Sequence, residues 1–363
     1  MNFIKSFTLV LLVKGRHQFT RRWLTYMKNI NFHFPIIIAD GQDDEETDKI
    51  IKEINNNNQL SIKYLRYNTH SSYEDYYKMK LDALNKVDTD LVMLCDNDDF
   101  ILLSGLNDQI IFLIQNQEYI SSSGRILNFE INNFDYTTYG KEISFLSFYK
   151  YYRYDEPLQD WKLYIDSVFT KFQPNFFNVF RTKFLKIIAE DEVRLNFSDL
   201  VIDEFYIQLR AATLGKSKIH KSNFHYMRQR GTSSISRNYE FSKDLLTKDM
   251  PTDIRKLAND ISEKIYKCSS YDRKDLYDII LNSFSKYLNY YLSCTTLKFR
   301  FSGLYFTKVY LLNLFKNKMN FFLKIKNRIS SYINLKRIFL SSDKNKVIFL
   351  KKELFYIKSF LVK

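Results

Sequence analysis

Apolar and polar positions alternate between two patterns over the first 130 residues. Short apolar runs, several of them continuous, predict strands buried in a sheet; these lie at Phe7–Val13, Pro35–Ala39, Ser61–Tyr67, Leu91–Cys95 and Tyr119–Phe129. The segments between them have apolar residues at helical spacing or an acidic start; they lie at His17–Ile30, Asp44–Asn55, Ser72–Lys86 and Ser104–Gln117. Because strands alternate with helices, we expect an α/β domain whose mostly parallel sheet is flanked by helices.

The pattern changes in the second part of the chain. Residues 135–175 are aromatic and irregular. After them, strands are expected at Asn175–Phe180 and Ser217–Met227, and helices at Thr182–Glu190 and Ser198–Thr213. A polar loop, Arg228–Arg237, follows, and the pattern is helical beyond about residue 240. We therefore divide the chain into a first domain, residues 1–237, and a helical C-terminal region, residues 238–363.

The formal charge of +14 belongs to the end of the chain. Residues 296–363 carry 16 basic and two acidic side chains, whereas the first 295 residues carry 39 of each. Basic and apolar residues interleave there, for example over 311–326, LLNLFKNKMNFFLKIK. This composition is typical of helices that lie in the interface of an anionic membrane. We expect a cytoplasmic protein bound peripherally, through this region, to the inner face of the cytoplasmic membrane.

The basic region is also compatible with roles away from a membrane. Its charge would attract nucleic acid, but the sequence has no signature of a nucleic-acid-binding module, so no such partner is expected. Packed helices with solvated lysines, a surface for a protein partner, and the codon bias of an A- and T-rich genome are further alternatives.

Composition and motifs exclude several classes of protein. Of the 363 residues, 45% are apolar and 17% aromatic, which excludes general disorder. Cys95, Cys268 and Cys294 form no CxxC pair, so neither a zinc site nor a disulfide framework is expected, and a reducing compartment fits. No secretory signal or membrane-spanning run is recognised. Walker, GxGxxG, HExxH and GxSxG patterns are missing too, against P-loop, dinucleotide-binding, zinc-protease and hydrolase functions.

An acidic segment, Asp96-Asn97-Asp98-Asp99, directly follows the apolar strand Leu91–Cys95. In an extended segment residues 96 and 98 point the same way, so their carboxylates can converge on one ion. Hard oxygen ligands favour Mg²⁺ or Mn²⁺, which would typically also hold a diphosphate. We expect Asp96 and Asp98 as metal ligands; a solvated acidic turn is the alternative.

Four segments, in this order, resemble bacterial nucleotide-sugar glycosyltransferases with the GT-A fold. They are FTLVLLVKGRHQFTRRWLTYM, IIIADGQDD, VDTDLVMLCDNDDF with its DxD motif, and DEFYIQLRAATLGK. The resemblance covers the chain from about residue 7 to about residue 234. The resemblance implies a Rossmann-like GT-A domain. It also implies metal-dependent transfer of a sugar from a nucleotide-diphosphate donor to a hydroxyl of a bacterial surface polysaccharide or lipid-linked glycan.

The resemblance assigns donor-binding roles to several residues. Asp40 would contact the nucleotide base or ribose, and Asp96 and Asp98 the metal and the ribose-diphosphate, with Asp99 joining or replacing one of them. Lys80 falls where a basic residue can reach the nucleotide. For Asp40 and Lys80 the alternatives are an ordinary turn aspartate and a surface lysine.

An acidic pair at the start of a later helix is the candidate catalytic base. In inverting enzymes of this family the base lies six residues before an arginine, and Glu204 lies six before Arg210. We therefore prefer Glu204 and keep Asp203 as the alternate, although the order Asp-Glu departs from the usual Glu-Asp. Such a base would take the proton of the attacking acceptor hydroxyl. Acidic residues that only stabilise the helix N-terminus are the alternative.

Three further residues near the end of the matched region are candidates. His225 falls where related transferases sometimes place a third metal ligand, although a lone histidine is more often structural. Arg228 and Arg230 would hold the donor diphosphate, in a loop that closes over it; a solvated loop is the alternative.

Two other functions are carried as alternatives. A sugar nucleotidyltransferase also uses aspartates at strand ends, but Val13-Lys14-Gly15-Arg16 is too short a match to its Gly-rich basic loop. A non-enzymatic protein that binds a membrane surface or nucleic acid would depend on the basic region alone.

Overall fold

The computed structural model describes residues 6–131, 138–148, 160–170, 174–230, 250–289, 331, 333–339, 342 and 346–362. The strands in these ranges are β1 (Phe7–Val13), β2 (Ile36–Asp40), β3 (Ile62–Arg66), β4 (Leu91–Cys95), β5 (Phe100–Ile101), β6 (Tyr119–Ile131), β7 (Ile143–Phe148), β8 (Val179–Arg181) and β9 (Lys216–Gln229).

The helices of the first domain are α1 (His17–Asn29), α2 (Glu46–Ile54), α3 (Tyr73–Asn85), α4 (Leu103–Gln115), α5 (Trp161–Thr170), α6 (Thr182–Leu195) and α7 (Leu200–Leu214). Those that follow are α8 (Met250–Tyr266), α9 (273–289), α10 (333–339) and α11 (Val347–Leu361). Within the described ranges, no helix has both the length and the apolar character needed to cross a membrane.

The strands form one sheet in the order β3-β2-β1-β4-β8-β6-β9-β5, with β7 paired to β6. The pairings β1–β2, β2–β3, β1–β4 and β6–β9 are parallel and long. The antiparallel pairings β4–β8, β6–β8 and β5–β9 involve only two residues of each strand. The prediction of a mostly parallel sheet flanked by helices is therefore confirmed.

The continuous apolar run of β1 is explained by the burial of both faces of the sheet. Leu9 and Leu11 belong to one core cluster, and Val10 and Leu12, which point the opposite way, belong to another. Each such side chain contributes about 1.5–3 kcal/mol when fully buried. A polar residue anywhere in the run would therefore lie in a core.

The register brings three strand ends together. Val13 at the end of β1 pairs with Asp40 at the end of β2, and Leu11 pairs with Cys95 at the end of β4. The acidic segment predicted from the sequence therefore emerges next to the β1–α1 connection. This is the edge where open α/β sheets bind ligands.

Helix α3 is capped at its N-terminus by Ser72. The hydroxyl of Ser72 accepts a hydrogen bond from the backbone N–H of Asp75 at 3.2 Å, and the Asp75 carboxylate accepts one from the N–H of Ser72 at 3.1 Å. This reciprocal pair is a capping box, and it fixes the start of a helix that borders the candidate site.

The strand expected at Asn175–Phe180 is shorter than predicted. Residues 175–178 form a turn in which the N–H of Asn178 donates to the carbonyl of Asn175 at 2.9 Å, and β8 begins only at Val179. The predicted start was therefore wrong, because the turn uses the backbone groups that a strand would need.

The helices after residue 250 share cores with the first domain. Helices α8 and α9 pack with α5 and α7 in one apolar cluster, and α11 packs on the larger cluster beside β5 and α1. The proposed boundary between 237 and 238 lies outside the described residues, as does the basic segment 311–326.

Candidate active site

A cavity of about 560 Å³ opens at the carboxyl ends of β1 and β4. Helix α3, the first turns of α7 and the end of β9 complete its wall. The charged residues that line it are Lys14 and Arg16 after β1, Asp96 after β4, Asp203 and Glu204 of α7, and Arg228 of β9. Acidic and basic groups thus face one space large enough for a small-molecule ligand.

Among the described residues, the acidic turn is the one group of three side chains close enough together to hold a metal ion. One carboxylate oxygen from each of Asp96, Asp98 and Asp99 lies within 4.8 Å of the others. Burial and the nearby Asp98 charge raise the pKa of Asp96 to about 7, and they raise the pKa of Asp99 as well. A divalent cation would remove this repulsion, so the donor set fits Mg²⁺ or Mn²⁺.

Helix α1 and strand β9 hold this turn in place. Nη2 of Arg16 donates to Oδ2 of Asp98 at 3.1 Å, and the fully buried Arg22 donates to the carbonyl of Asp98 at 2.6 Å. On the other side, the N–H of Gln229 donates to Oδ1 of Asp99 at 2.8 Å. The carboxylates are therefore positioned by contacts from distant parts of the sequence.

The two candidate bases have different surroundings although they are adjacent. Asp203 is 3% exposed, and its Oδ2 lies 3.9 Å from Nζ of Lys80. Glu204 is only partly buried; burial raises its pKa, whereas Arg228 acts in the opposite direction. Glu204 therefore has the more open position, with a cation close by.

Arg228 interacts electrostatically with both the acidic turn and Glu204. Its positive charge opposes the upward pKa shifts of Asp96, Asp99 and Glu204. Its guanidinium carbon also lies 5.7 Å from the ring centre of Phe177, another residue of the cavity wall. The side chain thus joins the acidic turn to the start of α7 electrostatically.

Lys80 is not placed as predicted. Its side chain is buried between helices, and Nζ lies 2.5 Å from Oε1 of the equally buried Glu192. It does not line the cavity. The prediction that it reaches a nucleotide was wrong, and so was the surface-lysine alternative, because this face of α3 packs against α6.

The prediction that His225 is a metal ligand was also wrong. Its Nδ1 accepts from the N–H of Gly124 at 3.1 Å, and its Nε2 donates to the carbonyl of Phe177 at 2.8 Å. Both ring nitrogens are therefore occupied, and burial lowers the histidine's pKa to about 4. The structural alternative describes this residue.

Asp40 keeps its position at the strand end, but its carboxylate is used within the fold. Oδ1 accepts from the N–H of Gln42 at 3.0 Å and Oδ2 from the hydroxyl of Tyr64 at 3.2 Å, and the side chain is fully buried. It does not line the cavity. The structure thus does not bring Asp40 to the space expected for a nucleotide.

The two arginines that were predicted to bind the diphosphate lie in different environments. Arg228 lines the cavity, whereas the Arg230 side chain is exposed and only its N–H is fixed, donating to the carbonyl of Phe129 at 2.8 Å. Arg230 thus does not join the cavity wall. The rest of the predicted closing loop, 231–237, lies outside the described residues.

The basic residues of the β1–α1 connection belong to the site although the sequence did not predict them there. Gly15 and Arg16 both have left-handed backbones, with φ of 61° and 56°. This turn places Arg16 against Asp98, while Nζ of Lys14 donates to the carbonyl of His70 at 2.5 Å. The available signal was a Lys-Gly-Arg segment at the same sheet edge as the acidic turn.

Comparison with known proteins gives a likeness to crystal structures of S. aureus TarS. For TarS the TM-score is 0.49 at 16% identity, covering 77% of this chain and 42% of that one. For TarS 1–349 it is 0.49 at 15% identity, covering 78% and 71%. For TarS 1–349 in complex with UDP-GlcNAc it is 0.47 at 13% identity, covering 78% and 72%.

This chain thus spans less than half of the first TarS chain that it matches. No family model matches the sequence, and no curated protein matches it. The interpretation of the cavity therefore rests on its own residues.

Proposed function

We propose that this chain is a metal-dependent glycosyltransferase that transfers a sugar from a nucleoside diphosphate to an acceptor hydroxyl. The observation that carries the proposal is the meeting of three kinds of group on one cavity. These are the acidic turn at Asp96, the carboxylate of Glu204, and the cations Arg16 and Arg228.

The donor would lie across the acidic turn. A volume of about 560 Å³ is within the range of ligand pockets and suits a nucleotide sugar. Asp96, Asp98 and Asp99 would hold Mg²⁺ or Mn²⁺, which would supply positive charge to the diphosphate as it leaves. Lys14, Arg16 and Arg228 add cations along the same wall, and arginine forks suit phosphate oxygens.

Glu204 is proposed as the general base. It would take the proton of the acceptor hydroxyl while that oxygen bonds to the anomeric carbon of the donor. The bond from this carbon to the diphosphate breaks, and the nucleoside diphosphate leaves with the electron pair. A single displacement of this kind inverts the anomeric centre. Arg228 supports the role because its charge favours the ionised form of Glu204.

The acceptor is proposed from the sequence resemblance alone. It would be a hydroxyl of a bacterial surface polysaccharide or of its lipid-linked precursor.

A thermal-shift screen tests the donor class first. The full chain is mixed with different nucleotide sugars in the presence of Mn²⁺, of Mg²⁺ or of excess chelator. We expect a nucleotide sugar to raise the melting temperature only with metal. The stabilising donor is then incubated with the enzyme, and released nucleoside diphosphate is measured. Conversion of the donor and added pyrophosphate into a nucleoside triphosphate and a sugar 1-phosphate would instead identify a sugar nucleotidyltransferase, and no metal-dependent stabilisation by any donor would contradict the proposal.

A further inference from the structure

In the described part of the chain, exposed apolar side chains are concentrated on two helices near the C-terminus. In the described ranges eight large apolar side chains are exposed, and half of them lie on α10 and α11: Ile333, Ile348, Phe349 and Phe355. Phe355 is the most exposed of the eight, at 75%. Solvent-exposed phenylalanine at this density on one short segment indicates a surface that binds something.

Helix α11 packs on the protein through one apolar face, and apolar side chains on its opposite side are exposed. Its buried residues recur three or four positions apart and pack on the main core; they are Leu350, Leu354, Ile357 and Leu361. Ile348 and Phe355, seven residues apart, lie along one stripe on the other side. The helix is therefore anchored through one apolar face and presents a second one to the surroundings.

Basic residues surround this outer stripe. Lys351, Lys352 and Lys358 are exposed on α11, and Lys336 and Arg337 are exposed on α10. The two helices are neighbours, since Nζ of Lys351 lies 5.1 Å from the ring centre of Phe339. We call these five cations, with Ile333, Ile348, Phe349 and Phe355, the outer face.

No described acidic side chain of α10 or α11 faces outward. The one carboxylate of α11, Glu353, turns toward α4, where it accepts hydrogen bonds from the N–H of Ser104 at 2.9 Å and from its hydroxyl at 2.5 Å. The described residues of α10 and α11 thus give this face an apolar and cationic character. Protein–protein interfaces are depleted in lysine, whereas helices in a lipid interface combine lysine with phenylalanine.

We propose that the outer face is a docking surface for an anionic lipid membrane. Phe355, Ile348 and Phe349 would enter the boundary between headgroups and acyl chains. Lysine side chains would extend to the anionic headgroups, as long basic side chains do at such boundaries. This membrane contact is independent of the proposed reaction, because none of its residues lines the cavity.

The same helix contacts the neighbourhood of the acidic turn. The ring of Phe360 packs edge-on against Phe100, with centres 6.3 Å apart, and Phe100 directly follows Asp99. At the end of the helix, the carbonyl of Leu361 accepts from the N–H of Gly140 at 3.0 Å. Docking through α11 would therefore hold the acidic turn at a fixed distance from the membrane surface.

Vesicle co-sedimentation of the full chain tests the proposal. The vesicles contain either phosphatidylcholine alone or equal parts of phosphatidylcholine and phosphatidylglycerol. The test variant is Lys352→Glu/Phe355→Ser. Its matched control is Lys162→Glu/Leu163→Ser on α5, where Lys162 is exposed and Leu163 is 52% exposed. All four positions are on the surface, so melting temperatures should stay close to that of the wild type.

We expect the wild type and the control to bind the anionic vesicles equally and to release them at high salt. The test variant should bind them at least about tenfold more weakly, since each lysine near such a surface contributes about a fivefold effect. Equal binding by both variants, or no binding by the wild type, would overturn the proposal. Self-association of the wild type through this face without vesicle binding would show a protein interface instead, and would also overturn it.

Discussion

Lys80 and Glu192 form a fully buried ion pair beside the cavity, and Asp203 lies 3.9 Å from the same ammonium group. Two carboxyl groups therefore share one cation. Burial and the charge of Glu192 raise the pKa of Asp203, whereas Lys80 opposes the shift. This favours a neutral Asp203, and the cluster links α3, α6 and α7.

Removing the cation should strongly destabilise the fold. We expect Lys80→Met to lower the free energy of unfolding by about 3–5 kcal/mol, because it leaves buried acidic groups without a partner. Urea unfolding measures the change. The control is Lys78→Met on the same helix, since Lys78 pairs with Glu74 at the surface and should matter little.

A double variant separates charge from packing in this cluster. Lys80→Met/Glu192→Gln should recover part of the lost stability, because it removes the unpaired charge as well as the cation. Equal destabilisation in the single and double variants would mean that the lysine contributes only by its packing.

Because Asp203 and Glu204 have different surroundings, replacing each carboxylate by the matching amide should affect kcat differently. We expect Glu204→Gln to keep donor affinity while kcat falls about 100- to 10,000-fold, as expected for loss of a general base. Asp203→Asn replaces a carboxyl group that is favoured in its neutral form, so kcat should stay within about a few-fold of the wild type. Donor titration and steady-state kinetics on both variants give the comparison. The reverse pattern would make Asp203 the base, and loss of donor binding in Glu204→Gln would make Glu204 structural.

The acidic turn predicts metal binding that depends on Asp98. Asp98→Asn keeps the side-chain size but removes a charged ligand, so Mn²⁺ affinity measured by calorimetry should fall by more than about tenfold, together with transfer. Asp278→Asn, on the exposed side of α9, is the control and should bind Mn²⁺ as the wild type does. Full transfer by the wild type in excess chelator would exclude the metal role.

The strands and the acidic turn could be predicted because their signals are local. Leu91–Cys95 is continuously apolar since both of its faces are buried, and the polar residues that follow it mark the end of the strand. Helix α5 also has a local signal. Trp161, Tyr164, Ile165 and Val168 recur at helical spacing, but the high aromatic content of the surrounding segment hides this pattern.

Features that depend on contacts between distant residues could not be predicted locally. The two-residue strand β5 exists because Phe100 and Ile101 pair with Met227 and Tyr226. Lys80 resembles any surface lysine in the sequence, and only the packing of α3 against α6 places Glu192 beside it. For the same reason, the hydrogen bonds of His225 to Gly124 and Phe177 have no signature along the chain.

His225 predicts a pH dependence of stability that does not involve metal. Its pKa is lowered from 6.5 to about 4 in the folded chain, so the unfolded chain binds more protons between these values. The neutral ring therefore contributes on the order of 3 kcal/mol to the free energy of unfolding. This contribution is complete above pH 6.5 and is lost as the pH falls toward 4. Buried carboxyl groups with raised pKa act in the opposite direction, so the test is the difference in slope between the wild type and His225→Asn in urea unfolding at several pH values. A ring whose NMR titration midpoint is near 6.5, or moves when Mn²⁺ is added, would contradict the structural role.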